Sequence, residues 1–484
     1  MSEEAIQVQR LPIRLKPDPR RTITRFFWPG PERAERIISR IKELSSERIS
    51  EILNSILKQF QPVNPGLEEI LMDNSERAIE QAGLAYEKDF EVRMLVGAYF
   101  SMEYAFESAA LFNPSMVPAT DQSGLPEGSL RFIMSLRAVG EGHISSIVFR
   151  RGTIDAEGDI SINPSTLQVR TFKKQENRKF RKSNFRGNIE EMSAWDTLAD
   201  AILSDLPDPF TYLMLVQKIE YYEHKWEDEE AFERISKLIL WMAESEYEIR
   251  AEGSFNVEDM VLFPMIQSES KGMEDMRLVL FEDDDDGQKY YGTYTAYDGH
   301  QIMPQILEVP EPGRATVSMM RGKFARNKGM ALFPRRIDGR YAMIGRIDGE
   351  NLFLLKSDSV DYWDDAVQMI EPKYDWEFVQ IGNCGSPILT DAGWLLLTHG
   401  VGAMRKYCIG AVLLDLKDPS KVIGRLQGPL MSPAEDERSG YVPNVVYSCG
   451  GLIHQDMLVI PYGISDAASG FAIVSLPELL GRFS

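Results

Sequence analysis

The segment Gly272-Met273-Glu274-Asp275-Met276-Arg277 sets two carboxyls and a guanidinium just ahead of an apolar run. A second run ends in Tyr294-Thr295-Ala296-Tyr297-Asp298-Gly299. Together the runs read as a β-hairpin, with the acidic pair at a strand entrance. Carboxyls held beside cations on a sheet rim suit glycosidic bond chemistry. One acid protonates the leaving oxygen, and a nearby cation or apolar contact tunes it. An isolated Glu-Asp-x-Arg more commonly forms a solvated loop with a local ion pair. Adjacent side chains on an extended chain point to opposite faces, so Glu274 is expected to turn away from Asp275 and to make a poor second base.

Other charged groups extend this inventory. Lys328 lies in Arg326-Asn327-Lys328-Gly329-Met330-Ala331-Leu332-Phe333-Pro334-Arg335-Arg336, where it could meet an anion or simply flank a strand. His399 follows the apolar run Trp394-Leu395-Leu396-Leu397-Thr398; such a strand end suits a functional imidazole as well as a core histidine. No HExxH occurs, which excludes a zincin, and no metal site is expected. Gly400-Val401-Gly402 precedes a strand-like segment, so a dinucleotide turn is excluded, and neither GxSxG nor GxxxxGK is present. The acidic run at 283–286 reads as a hairpin tip and does not fit an EF-hand. The basic cluster from Lys173 to Lys182 reads as a solvated loop or a contact with an acidic face.

The chain has 484 residues and a formal net charge of −21. Its length predicts two domains, or one large β domain with additions. Its charge argues against nucleic acid and anionic membranes as partners, while leaving room for a local basic pocket. Three cysteines without a CxxC spacing argue against a disulfide scaffold or structural zinc and fit a reducing cytoplasm. No apolar run approaches the roughly 20 residues of a membrane helix.

The elements that must position these groups follow from periodicity. Residues 1–28 look extended, and helical spacing then runs to about residue 106, broken by Pro62 and Pro65. This predicts an N-terminal helical region over 1–108 and a β domain over 109–484, with a helical insertion at about 190–250. Short strands follow, with turns such as Ile337-Asp338-Gly339 and Ile347-Asp348-Gly349. Regular strands of this kind suit a barrel, a sandwich or a propeller.

Several segments, in order, resemble glycoside hydrolase family 130, the β-mannoside phosphorylases and mannosidases. They are Asn113-Pro114, Ser135-Leu136-Arg137-Ala138-Val139-Gly140, the Gly272–Arg277 box, Tyr294 to Gly299, Ala331-Leu332-Phe333-Pro334, Gly393-Trp394 through Val401, and Tyr462-Gly463 through Asp466. The likeness covers about residues 109–484 outside the helical interlude. It implies a mainly β fold, a five-bladed β-propeller with an axial active site, carrying the helical additions. By the same resemblance Asp275 is the general acid, acting through the mannose 3-hydroxyl. Asn113, Arg137, Arg277 and Asp466 hold the sugar, with Asp298 of the Tyr294–Gly299 segment a further substrate-binding candidate, and Lys328 and His399 face phosphate. The chain departs from some members in reading Asp298-Gly299-His300 where they carry an arginine, and Met276 where a proline is usual.

The implied reaction is inverting phosphorolysis of a β-mannoside, with a β-1,2 linkage favoured, giving mannose 1-phosphate. No cofactor is expected, inorganic phosphate being a co-substrate. Phosphate arrives nucleophilic, so one enzyme carboxyl suffices and several cations must hold the anion; Arg137, Lys328, Arg346 and His399 are the candidates. The alternatives are inverting hydrolysis, which needs a second carboxylate as base, and a non-catalytic carbohydrate-binding propeller. An oligosaccharide partner, a homo-oligomer and a cytoplasmic location complete the expectations.

Overall fold

Short strands joined by Gly and Asp turns fold into five successive four-stranded antiparallel units. The structure is a computed structural model and describes residues 6–175, 178–191, 196–251, 253, 255–283, 287–311 and 313–483. Blade I comprises Ala110–Pro118, Leu130–Val139, Ser145–Ile154 and Ile160–Ile162. Blade II comprises Gly272–Asp283, Gly287–Tyr297, Ile302–Glu311 and Arg314–Met319. Blade III runs through Lys328–Leu332, Tyr341–Arg346, Leu352–Ser357 and Asp365–Ile370. Blade IV holds Gln380–Asn383 with Ile388–Thr390, then Gly393–Val401, Tyr407–Leu414 and Val422–Arg425. Blade V holds Val446–Tyr447 with Leu452–His454, then Met457–Ile464 and Ala468–Ser475, and its fourth strand is Val8–Leu15 from the chain start.

The apolar pattern explains why the blades stack. Gly393–Val401 is buried at every position, because both of its faces meet another blade. Trp394 and Leu396, with Ile381 of their own blade, pack with Ile344 and Leu354 toward blade III. Leu395 and Leu397 pack with Leu458, Ile460 and Val474 toward blade V. Analogous cores fill the other junctions: Phe281 with Met343 between II and III, Ile147 with Leu278 between I and II, and Phe132 with Phe471 between V and I. The stack therefore closes as a five-bladed propeller, with a hydrophobic layer at each junction.

Hydrogen bonds also tie neighbouring blades together. Leu278 N donates to Ser115 Oγ at 2.9 Å, and Cys449 N donates to the Pro114 carbonyl at 2.8 Å. Thr293 Oγ1 donates to the Met330 carbonyl, and Tyr407 bridges Val445.

Two helical additions flank this ring. Pro31–Lys42, Ser46–Phe60, Leu67–Gln81 and Phe90–Tyr99 form the first, with a core including Ile38, Ile79, Leu95 and Phe100. The expected boundary at 108 is crossed, because Val8–Leu15 belongs to blade V and Ser101–Ala105 is a strand. Helix periodicity marks the apolar faces, whereas which sheet claims an extended N-terminal segment depends on a distant edge. Beneath this unit Arg21 is fully buried; it donates to Glu107 at 2.7 Å and to the Glu258 carbonyl at 2.9 Å. The second addition contains Lys182–Glu191, Thr197–Ser204, Tyr212–Glu223 and Glu229–Ser245, and its last strand, Tyr247–Arg250, extends blade II. Residues 192–195, inside the expected insertion, and 284–286 of the acidic tip lie outside the described residues. Among the described residues no helix is long and apolar enough to cross a membrane.

Candidate active site

The first strands contribute a polar group from every blade at one end of the axis: Asn113, Glu274 with Asp275, Lys328, Asn383 and Tyr447. The second strands add Arg137, Arg346 and His399.

The carboxyl pair owes its arrangement to a β-bulge. Glu274 pairs with Thr295 and Arg277 with Thr293, so one extra residue is accommodated between them. Asp275 takes φ 54°, in the left-handed region. The bulge cancels the usual alternation. Glu274 was expected to face away, yet it accepts from Arg137 Nη2 and Lys328 Nζ, each at 2.7 Å. Asp275 Oδ1 accepts from Asn113 Nδ2 at 2.7 Å and lies 3.5 Å from Arg137 Nη1. Both carboxylates thus share Arg137. Asn113 sits at a second irregularity, between Phe112 and Ser115, with φ 50°, and Asp466 has φ 52°. Left-handed backbone at a non-glycine residue costs on the order of 1 kcal/mol or more, least for Asn and Asp, which is the residue type at all three positions.

Arg277 is buried and fastens the bulge. Its Nη1 donates to the Asp275 carbonyl at 2.9 Å, and its Nη2 donates to the Tyr447 hydroxyl at 2.7 Å. Both terminal nitrogens therefore make bonds within the protein, and Arg277 positions the bulge. Arg137 also donates from Nε to Ser145 Oγ at 2.9 Å and lies over the Phe112 ring.

Charge states follow from these contacts. Burial alone would raise the Asp275 pKa, but Arg137, Arg277, the Asn113 hydrogen bond and Lys328 hold it below the usual carboxylate value. Burial works against the Arg137 charge, and Asp275, Glu274 and Asp466 outweigh it, raising the Arg137 pKa. Asp466 moves the other way: burial, then the like charge of Asp275, push it up to about 6.

His399 corrects an expectation. Burial, and then the charges of Arg346 and Arg277, drive its pKa well below the ordinary value, so the ring is neutral and brings no charge to an anion. Its Nε2 lies 3.4 Å from Arg346 Nη1, and its ring stands 4.8 Å from that of Tyr447. Gly382 makes room for it, since a Cβ there would fall 2.3 Å from the imidazole. Arg137 and Lys328 are already paired with Glu274. Arg346 has no carboxylate partner among the described residues.

Asp298 makes its hydrogen bonds within its own turn. Its Oδ1 accepts from the backbone N–H groups of His300 and Gln301, at 2.8 and 2.7 Å, and so closes the turn after Tyr297. These backbone bonds lower its pKa. Tyr447 and Asn383 escaped the sequence reading. Neither stands in a charged motif, and only the convergence of first strands marks them.

Carboxylates and cations gathered on a propeller axis are what glycoside chemistry requires, and the sequence comparisons point the same way. The profile of glycoside hydrolase family 130, described as β-1,4-mannooligosaccharide phosphorylase, matches residues 230–483, just over half of the chain. A 1,2-β-oligomannan phosphorylase of Thermoanaerobacter sp. (strain X514) is 34% identical over 218 residues, covering 44% of this chain and 71% of that protein. A β-1,2-mannobiose phosphorylase of the same strain is also 34% identical, over 44% of this chain and 70% of its own. The solved β-1,2-mannobiose phosphorylase of Listeria innocua, in complex with β-1,2-mannobiose, aligns at 18% identity with a TM-score of 0.45, covering 78% of this chain and 92% of that one. The chain belongs to glycoside hydrolase family 130, and it is an enzyme. Asn113 and Arg137 precede the profile match and join the site through the fold.

Proposed function

We propose that the protein cleaves β-mannosides, chiefly β-1,2-linked manno-oligosaccharides, by inverting phosphorolysis that releases mannose 1-phosphate. The observation that carries this reading is Arg346, a half-buried guanidinium with no carboxylate partner among the described residues, at the edge of a carboxylate cluster. An unpaired cation there favours an anion as co-substrate. Lys328 and an N–H of neutral His399 complete the anion slot. Asn113, Arg137 and Asp466 hold the sugar. No cofactor enters the reaction.

Phosphate attacks the anomeric carbon as the glycosidic C1–O bond breaks. The leaving oxygen gains a proton that originates on Asp275, relayed through the mannose 3-hydroxyl as in the family pattern. Burial works against the Asp275 charge, but Arg137, Arg277, the Asn113 hydrogen bond and Lys328 hold its carboxyl below the usual carboxylate value. Phosphate settling beside Lys328, the cation that the anion slot shares with Asp275, offsets part of that field and favours uptake of the proton by the carboxyl. Glu274, held by two cations, is not available as a base.

Two relatives named for β-1,2-linked substrates support the linkage, while the family profile is described for β-1,4. A second reading, inverting hydrolysis, is favoured by Asp466, whose raised pKa would suit a base for water. Incubating β-1,2-, β-1,3- and β-1,4-mannobiose with and without phosphate tests both. Phosphate-dependent mannose 1-phosphate from the β-1,2 compound supports the proposal; phosphate-independent release of mannose rejects it.

A cytoplasmic location and a homo-oligomeric state belong to the same proposal. Cys384, Cys408 and Cys449 are free and buried, as a reducing compartment permits, and Tyr86, Phe90 and Tyr99 are exposed on the N-terminal helical unit. Light scattering giving a mass above the 55.0 kDa chain would support self-association.

A further inference from the structure

Two hairpin turns rise at the end of the propeller that holds the site. One, Glu141–His143, joins the second and third strands of blade I, directly beyond Arg137 and before Ser145. The other, Ala403–Arg405, occupies the same place in blade IV, directly beyond His399. Between them runs the segment leading into blade V, and it carries Tyr441. This tyrosine is 73% exposed, although it lies in the interior of the chain and beside a buried polar site. Its ring stands 5.5 Å from that of His143, at an interplanar angle of 34°. Met404, on the opposite turn, is 91% exposed.

Tyr441 is not a loose surface residue. The next residue, Val442, donates its N–H to the Ser465 carbonyl at 3.1 Å, and Ser465 N donates to the Val445 carbonyl at 2.9 Å. Ser465 Oγ donates to the Glu437 carbonyl at 2.6 Å. A Cβ on Gly440 would fall 2.3 Å from the Ser465 carbonyl oxygen, so the segment lies flat against that turn. Ser465 is followed by Asp466. On the other side, Ser145, two residues after His143, accepts from Arg137. The His143–Tyr441 pair therefore spans the gap between the anchors of Arg137 and Asp466, the two groups assigned above to the sugar.

We infer that Tyr441, braced by His143, is a stacking platform for a second sugar ring, on the acceptor side of the bond that is cleaved. Resting on the mannoside reading above, it deepens that reading by assigning chain-length recognition to the rim. Sugar rings present C–H-rich faces that pack on aromatic planes. An exposed ring on a hydrogen-bonded backbone segment, set against a second ring, offers such a plane. The charged floor takes the mannose that is transferred, and a ring beyond it must leave along the open end, where Tyr441 stands.

The test measures binding, so that it is independent of phosphate. In an Asp275→Asn background, calorimetric titration compares β-1,2-mannotriose with mannose. Tyr441→Ala is expected to weaken mannotriose binding about tenfold, the loss of one ring contact, with mannose binding unmoved. Tyr441→Phe is expected to restore mannotriose binding, because the ring and not the hydroxyl supplies the contact. Equal mannotriose affinity with and without the Tyr441 ring overturns the platform, and so does a parallel loss for mannose and mannotriose. Phosphate-independent turnover by the wild-type enzyme would instead sink the phosphorolysis reading and leave the platform standing.

Discussion

Replacing Asp466 by asparagine should stabilise the protein, by an amount that grows with pH. In the folded chain this carboxyl is pushed from 3.8 up to about 6, by burial and then by Asp275. The folded state therefore holds the proton more tightly than the unfolded chain does. Between about pH 4 and 6 the folded state carries more protons, so stability contributed by this group falls as pH rises through that window. A shift of about 2 pKa units corresponds to about 3 kcal/mol at pH 8 and roughly half of that at pH 5. The amide introduced by Asp466→Asn carries no charge and escapes the penalty at both. At roughly 2 cal/mol/K per residue, the gain at pH 8 is a rise of about 3 °C in the melting midpoint, and about half of that at pH 5. Paired thermal melts of wild type and Asp466→Asn at pH 5 and pH 8, at one scan rate, read the difference. A gain that is the same at both pH values, or a variant less stable at pH 8, would refute the placement of Asp466 among like charges. The same substitution should lower turnover, since the proposed role of Asp466 is to hold the sugar.

Other substitutions probe the rest of the site. Asp275→Asn should reduce kcat by about 10²- to 10⁴-fold in a phosphorolysis assay, the usual contribution of a positioned acid, while calorimetry still detects oligosaccharide binding. Arg346→Ala should raise KM for phosphate at least tenfold and leave KM for the mannoside nearly unchanged; equal effects on both would remove Arg346 from the anion slot. Glu274→Gln leaves Arg137 and Lys328 without their shared carboxylate, and urea denaturation should show a loss of about 2–4 kcal/mol, short of the upper range for breaking a fully buried pair because Lys328 is partly exposed. Glu107→Gln strands the buried guanidiniums of Arg21 and Arg150, and the same measurement should show a loss of about 3–5 kcal/mol.

Much of the scaffold was legible along the chain. The apolar Trp394–Leu397 run reads as a strand, and it lies within Gly393–Val401. Ile337-Asp338-Gly339 reads as a tight turn, and Asp338 and Gly339 take φ 50° and 77°. These signals are local, and steric preference within a few residues decides them. The site was legible as an inventory. Asp275, Arg137, Asn113, Lys328, Arg346 and His399 do converge, whereas Asp298 closes its own turn. Glu274 faces the site against strand alternation, because alternation holds only in regular pairing and a single inserted residue reverses it. Val8–Leu15 showed no sign of its partner, which lies more than 450 residues away in the chain.

The amino-acid order alone determined where strands and turns form, which faces are apolar, and which acids, bases and cations are available, because each depends on neighbours within a few residues. Only the closed ring decided what those groups are. It brought Arg137 between two carboxylates, left Arg346 with no carboxylate among the described residues, made His399 neutral and raised Asp466 toward neutrality. Proton affinity is set by burial and by charges a few ångströms away, and in this protein those charges come from blades far apart in the chain.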